Sequence, residues 1–300
     1  MDKLRALSVF VAIVDNGSLT AAASALSTSL PAVVRQLASL EAEVGVRLLN
    51  RTTRRLSLTE DGRQYLERVR RILSDLDEAD RALSDERAEP SGSLYVTAPV
   101  LFGSLHVAPA VHRFLTRYPK MRINLLLVDR IVNLVEEGVD VGVRIAPLSD
   151  STLVAQSVGK VRQVVVASPA LLKKRGVPRH PRELAAQNCV RFSPGSDSHW
   201  SFSDSGRLFQ VAVKGNLSCN LVAPALDACA SGLGFGSFLS YQVAALLRAK
   251  RLRIVLAEFE PPVRSVALVY PSARLLPGRT RNFLSWMRAA LKESSDSLAA

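Results

Sequence analysis

The run Ser29-Leu30-Pro31-Ala32-Val33-Val34-Arg35-Gln36 sets two base-reading side chains one turn behind a series of small and apolar ones. Arginine and glutamine carry paired hydrogen-bonding groups that match guanine and adenine edges in the DNA major groove. Small residues ahead of them let a helix backbone come close to the base pairs. Further on, Arg51, Arg54 and Arg55 crowd into five positions. Such a cluster suits phosphate oxygens, which position a protein on nucleic acid without reading its sequence. A second set of candidates lies where strands should end. Thr97, Pro99, Val100 and Phe102 belong to a strand-to-helix turn, Thr97 to Ser104, whose free amides suit a carboxylate. Arg144 falls at the end of another strand, where an arginine has no packing reason to be. Competing roles stay open: Thr97 as a helix cap, and Arg144 as an ion-pair partner of Asp129 or Asp140.

The elements that must position these groups follow from periodicity. Leu4, Leu7, Val9, Phe10, Val11 and Val14 mark one helical face, ended near Asn16-Gly17. Ser18 stands as a cap before a short alanine-rich helix, about Leu19 to Leu26. The turn Ser27-Thr28-Ser29 leads into a helix from Leu30 to Val44, which tolerates Pro31 in its first turn and ends at Gly45. Two short extended pieces, Val46 to Asn50 and Arg55 to Leu58, predict a hairpin with a basic tip. A helix from Thr59 to about Asp85 follows. Along it Leu66, Val69, Leu73, Leu76, Asp80 and Leu83 step by three and four, a heptad seam interrupted by one acid. The same spacing also fits a helix packed on its own domain.

Pro90-Ser91-Gly92 is a boundary signal. Beyond it, short β-branched runs (Leu94 to Ala98, Ile123 to Val128, Val141 to Ile145, Val161 to Ser168) alternate with helical stretches such as Leu105 to Arg117 and Ile131 to Glu137. That alternation predicts an α/β domain with mostly parallel pairing.

Composition narrows the function classes. Hydrophobic residues make up 48% and charged residues 22%, a globular balance. No apolar run approaches the roughly 18 residues of a membrane span, and no signal-peptide pattern opens the chain, so a cytoplasmic protein without membrane contact is expected. The formal charge of +12 is unevenly spread. Residues 1–90 hold 13 basic and 14 acidic side chains, and residues 91–300 hold 26 and 13. Bulk charge therefore does not mark the base-reading segment; it weakly favours an anionic small molecule for the second region.

Enzyme chemistry finds little support. Ser231 to Gly236 contains GxGxG, but it follows a helix and enters a strand, the reverse of a dinucleotide fingerprint. There is no GxSxG and no HExxH. His106, His112, His180 and His199 lack metal spacing, so no catalytic residue, metal or cofactor is expected. Cys189, Cys219 and Cys229 show no CxxC; they read as buried hydrophobes, with a Cys219–Cys229 redox pair as the alternative.

The segment FVAIVDNGSLTAAASALSTSLPAVVRQLASLEAEVGVRLLNRTTRRLSLTEDG, residues 10 to 62, closely resembles the winged helix-turn-helix of LysR-type transcriptional regulators. The resemblance implies three parts: a DNA-binding domain at 1–58, a linker and dimerisation helix at 59–89, and an effector-binding domain at 92–295. The last would be similar to type 2 periplasmic solute-binding proteins, with one lobe from about 92–161 and 266–295 and the other from 162–265. Ser29, Pro31, Ala32, Val34, Arg35 and Gln36 would face bases, and Arg51, Arg54 and Arg55 would hold phosphates of a double-stranded promoter operator. Leu30 and Val34 depart from the polar residues usual there and suggest contact with thymine methyls. By rough alignment His199, Trp200 and Asn220 join Thr97, Pro99, Val100, Phe102 and Arg144 as effector contacts, with plain interface roles open for His199 and Trp200. The family further implies an inverted-repeat operator and a homodimer or homotetramer. A solute-binding protein without DNA function is opposed by the N-terminal domain.

Overall fold

The computed structural model describes residues 2–51, 56–82, 89–145, 153–192, 198–271 and 276–293. The chain divides into two compact units, Met1–Ser93 and Leu94–Ala300.

In the first unit, α1 (Lys3–Asn16) starts where Asp2 accepts the Arg5 amide and stops at Gly17, whose φ of 68° is left-handed. Ser18 caps α2 (Leu19–Ala25) by accepting the Ala21 amide at 3.0 Å. The turn that follows passes through Ser27 at φ 50°, and α3 (Leu30–Val44) ends at Gly45, φ 75°. Ala6, Phe10 and Ile13 of α1, Ala22 of α2, and Val33, Leu37 and Leu40 of α3 are all fully buried in one core. Each large side chain there contributes roughly 1.5–3 kcal/mol by leaving water.

The wing consists of β1 (Leu49–Arg51) and β2 (Leu56–Leu58), paired antiparallel with Leu49 opposite Leu58. Its base is tied twice. Glu41 of α3 accepts the Leu48 amide at 2.8 Å, and Thr59 donates its hydroxyl to the Arg47 carbonyl at 2.7 Å. Thr59 also caps α4 (Glu60–Ala82) by accepting the Gly62 amide. Gly62 is required there, because a Cβ would stand 2.0 Å from the Leu48 carbonyl oxygen.

The early part of α4 packs inward. Leu66 and Val69 are buried in the domain core and Leu73 leans on it, whereas Ile72 and Leu76 are 50% and 41% exposed. The expected seam is therefore corrected: its first three members serve the domain's own core, and the outward apolar pair is Ile72–Leu76. Leu83 lies outside the described residues. Heptad spacing alone cannot separate the two faces, because both step by three and four.

The second unit has two lobes, each around a five-stranded sheet. In the first lobe β3 (Gly92–Ala98) leads into a continuous helical stretch: α5 (Val100–Phe102), a π turn (Gly103–Val107) and α6 (Ala108–Arg117). Then come β4 (Met121–Leu127), β5 (Val141–Ile145) and β6 (Leu153–Val161), which runs across into the second lobe. There β7 (Gln163–Ala167), α7 (Pro169–Arg175), β8 (Cys189–Phe192) and the separate hairpin β9 (His199–Asp204) and β10 (Arg207–Ala212) follow. Next are β11 (Ser218–Cys219), α8 (Val222–Ala230), β12 (Phe235–Leu239), α9 (Ser240–Arg248) and β13 (Arg253–Val255). The chain returns through β14 (Arg264–Pro271) and ends in α10 (Gly278–Glu293). The sheet orders are β4-β3-β5-β14-β6 and β11-β8-β12-β7-β13.

Two expectations need correction. Pairing is parallel for β3–β5, β8–β12 and β8–β11, but antiparallel wherever β14, β7 or β13 takes part. Strands that cross between lobes enter the next sheet from the opposite end, which reverses their sense. Residues 131–137 form turns, not a helix. Ile131 and Val135 are 88% and 66% exposed, Asn133 accepts the Val135 amide, and Gly138 at φ 60° closes the segment. The glycines of Ser231 to Gly236 serve tight backbone packing: a Cβ on Gly234 would lie 2.4 Å from the Asn188 carbonyl oxygen.

Candidate nucleic-acid interface and effector site

The start of α3 presents Ser29, Leu30, Pro31 and Arg35 to solvent, with Ala32 and Val34 half-buried. Val33, Leu37 and Leu40, four and then three residues apart, point into the core, so Pro31, Val34, Arg35 and Ala38 form the outer strip. Ser29 is exposed and makes no side-chain cap, while its carbonyl accepts the Ala32 and Val33 amides at 3.0 and 3.2 Å. Gln36 sits differently: its Oε1 is buried and has no hydrogen-bond partner among the described residues. It flanks the buried Val33–Leu37–Leu40 stripe, so the i+1 neighbour of Arg35 does not share its face. Ala38, one turn after Val34, escaped sequence reading, although a step of three and four from Val34 and Arg35 leads to it. Arg51 ends β1; Arg54 and Arg55 lie outside the described residues.

In the effector unit, the structure gathers Thr97, Pro99, Val100 and Phe102 at the carboxyl end of β3. Thr97 is buried and caps no helix; its hydroxyl donates to the Leu126 carbonyl at 3.0 Å, tying β3 to β4. The amide expected to greet an anion is already used. Asp129, just past β4, accepts the Val100 amide through Oδ1 at 3.0 Å, while its Oδ2 is buried and has no hydrogen-bond partner among the described residues. Phe102 is fully buried and meets Tyr241 of the other lobe edge-on, ring centroids 5.3 Å apart. His106 completes this interlobe cluster at 4.9 Å from Phe102 and 5.9 Å from Tyr241. Burial lowers the His106 pKa, and its Nε2 is buried with no hydrogen-bond partner among the described residues. Burial also raises the Tyr241 pKa, with the Asp129 charge adding to the effect. Gln242 donates to the Tyr241 hydroxyl at 3.2 Å.

Arg144 shares the Thr97 face of the sheet and donates to the Val132 carbonyl at 2.7 Å. The other candidates are dispersed. Trp200 sits in the core of the second lobe with Phe202 and Val211, His199 is exposed on the same hairpin, and Asn220 is exposed beyond the edge strand β11. Asp129 and the Ser240-Tyr241-Gln242 turn were missed by sequence reading. Both stand immediately after strands, so the strand-end rule applied to β4 and β12 would have found them.

At the crossing strands a polar chain joins the lobes. Arg264 donates to Gln163 Oε1 at 2.6 Å, and Gln163 donates to Ser237 at 3.0 Å. The Arg162 guanidinium lies 3.2 Å from Glu260, whose carboxyl is nevertheless pushed up by burial. Gln163, Ser201, Ser237 and Glu260 line a small recess of about 10 Å³, space for little more than one water molecule. Cys189 and Cys229 are buried, and burial pushes both thiols up to about 12, so they are protonated apolar fillers near pH 7.

A helix-turn-helix with an outward strip on its second helix, followed by a two-lobe α/β domain, defines a DNA-binding regulator with a ligand-sensing module. Residues 4–63 match the model for bacterial regulatory helix-turn-helix proteins of the LysR family, and residues 87–292 match the LysR substrate binding domain. The chain belongs to the LysR-type family of transcriptional regulators. It is 33% identical over 299 residues to an HTH-type transcriptional repressor of Pseudomonas aeruginosa, covering 99% of this chain and 94% of that protein. It is 34% identical over 284 residues to the regulator CrgA of Neisseria meningitidis, covering 94% of each. The CrgA structure superposes with a TM-score of 0.61 at 33% identity, over 96% of this chain and 98% of that one. Full-length AphB, a Vibrio cholerae virulence activator, gives a TM-score of 0.61 at 26% identity, over 95% and 98%. As a regulator of this family the chain acts on DNA in the cytoplasm.

Proposed function

We propose that this regulator binds an inverted-repeat promoter operator as a dimer and answers to a small molecule held between the lobes of its second unit. Base reading falls to Pro31, Val34 and Arg35, with Ser29 and Ala32 at the helix start and Gln36 in support. Val34 suits a thymine methyl, and Arg35 suits guanine. Arg51, Arg54 and Arg55 hold phosphates. The observation that carries this reading is the outward strip of α3, whose opposite stripe is locked into the core. The outward Ile72–Leu76 pair on α4 supports self-association through that helix, and a symmetric dimer calls for a symmetric operator.

For the effector, the interlobe cluster of Phe102, His106, Asp129 and Tyr241 supports a ligand seated near the carboxyl end of β3. An anion was the expectation there. With Asp129 already at the start of α5, the reading is revised to a ligand that gives Asp129 Oδ2 a hydrogen-bond donor, such as a hydroxyl or amine. Binding that favours one lobe arrangement would shift operator affinity by about 1–3 kcal/mol, the usual size of such coupling.

The test is a mobility shift of DNA from upstream of the chain's own gene and of a divergently oriented neighbour, with an inverted repeat mapped by footprinting. Thermal melting against a panel of small phenols, amines and carboxylic acids then searches for the effector. Turnover of a substrate, or no preference for any upstream DNA over random sequence, would refute the reading.

A further inference from the structure

The base-reading unit carries no excess of positive charge, and the surplus lies in the effector unit. Part of it is concentrated. Residues 169–182 and 248–257 hold basic side chains and no acid. Topology brings the two stretches together. β13 pairs with β7 so that Arg253 stands opposite Ala167, and α7 begins two residues after Ala167. Arg253 shares its sheet face with Val255, and Val255 belongs to the core cluster that includes Leu171 and Leu172 of α7. Lys250 and Arg251 continue past the end of β7, beside the start of that helix. Lys173, Lys174, Arg175, Lys250, Arg251 and Arg253 are all exposed, and none has a carboxylate partner among the described residues.

From this juxtaposition we infer that the β13–α7 edge of the second lobe is a DNA-backbone contact, binding phosphates of duplex that flanks the segment read by α3. Uncompensated lysines and arginines on an exposed edge fit a polyanion with regular charge spacing, and duplex DNA is the polyanion this protein already engages. Each phosphate contact releases about one counterion, so the contact has a measurable salt signature.

The experiment compares the full-length parent with a Lys173→Gln, Lys174→Gln, Arg251→Gln variant. Both are titrated with mixed-sequence duplexes of about 25 and about 80 base pairs across a potassium chloride series. The variant is expected to bind the long duplex roughly tenfold more weakly near 0.1 M salt, with a slope shallower by about two to three units, and to match the parent on the short one. Neutralising Arg113, Arg122 and Arg207, three exposed charges elsewhere on the unit, is expected to leave the long-duplex slope unchanged. The charge-preserving Lys173→Arg, Lys174→Arg, Arg251→Lys variant is expected to behave as the parent. Unchanged slopes on both duplexes, or equal losses on both, overturn the inference. So does a variant that only melts lower or aggregates, which would assign these charges to guarding the sheet edge.

Discussion

Asp129 and Val100 meet across the first lobe: a carboxylate just past β4 accepts the first amide of the helix that follows the neighbouring strand β3, at 3.0 Å. The contact supplies from within the chain the anion that a helix start attracts. Asp129→Ala leaves that amide unsatisfied and is expected to lower the stability of the effector unit by about 1–2 kcal/mol. Asp129→Asn keeps the acceptor and is expected to lose less. Calorimetry of the full chain reads both; an Asp129→Ala protein that melts like the parent would show that the bond does not hold the helix start.

Arg35 and Gln36 are neighbours in sequence with different surroundings. Arg35→Ala is expected to relax base preference at one operator position by about 1–3 kcal/mol while leaving stability unchanged. Gln36→Ala is expected to act mainly on stability, because its Oε1 is enclosed. Binding to a library of operator variants, set beside melting curves, separates the two. Equal loss of sequence preference in both variants would place both residues at the bases.

Ile72 and Leu73 face different ways on α4, Leu73 against the domain's own core and Ile72 toward solvent. Ile72→Asp is expected to give a folded monomer that fails on a two-half-site operator. Leu73→Asp, which puts a charge against the domain's own core, is expected to lower the melting temperature of the first unit, at a cost of several kcal/mol. Light scattering and melting curves decide. A dimeric Ile72→Asp protein would remove α4 from the interface.

His106 gives the effector unit a dependence on pH. Its folded pKa lies below the ordinary value of 6.5 because burial disfavours the imidazolium. The unfolded chain therefore binds more protons in the window between the two values. This contribution to stability is present above pH 6.5 and is lost as the pH falls through the folded pKa. Glu260, with its pKa raised by burial, works in the opposite sense: its share is present below 4.5 and is lost as the pH rises through the folded value. On acidification from about pH 7.5 to about pH 5.5 the parent is expected to lose more stability than His106→Phe. Identical pH profiles for the two proteins would discount the histidine.

The sequence alone determined the kind of molecule. Caps, stop glycines and the order of residues 10 to 62 lie close together in the chain, and local order is what propensity and motif record. Ser18, Gly17 and Gly45 behave as their types dictate, and the boundary near Pro90 precedes the change from helices to strands. Tertiary structure decided everything that depends on which side of an element faces the core. Leu73 and Ile72 have equal hydrophobic spacing, and only packing against α1 assigns one inward and the other outward. Trp200, read as an effector contact, went to the core because its hairpin pairs with residues 207–212 and covers the second lobe. Asp129 came to accept the Val100 amide from 29 residues away; its place just past a strand marks it in the chain as a candidate, but only the pairing of β3 with β4 brings the two groups together.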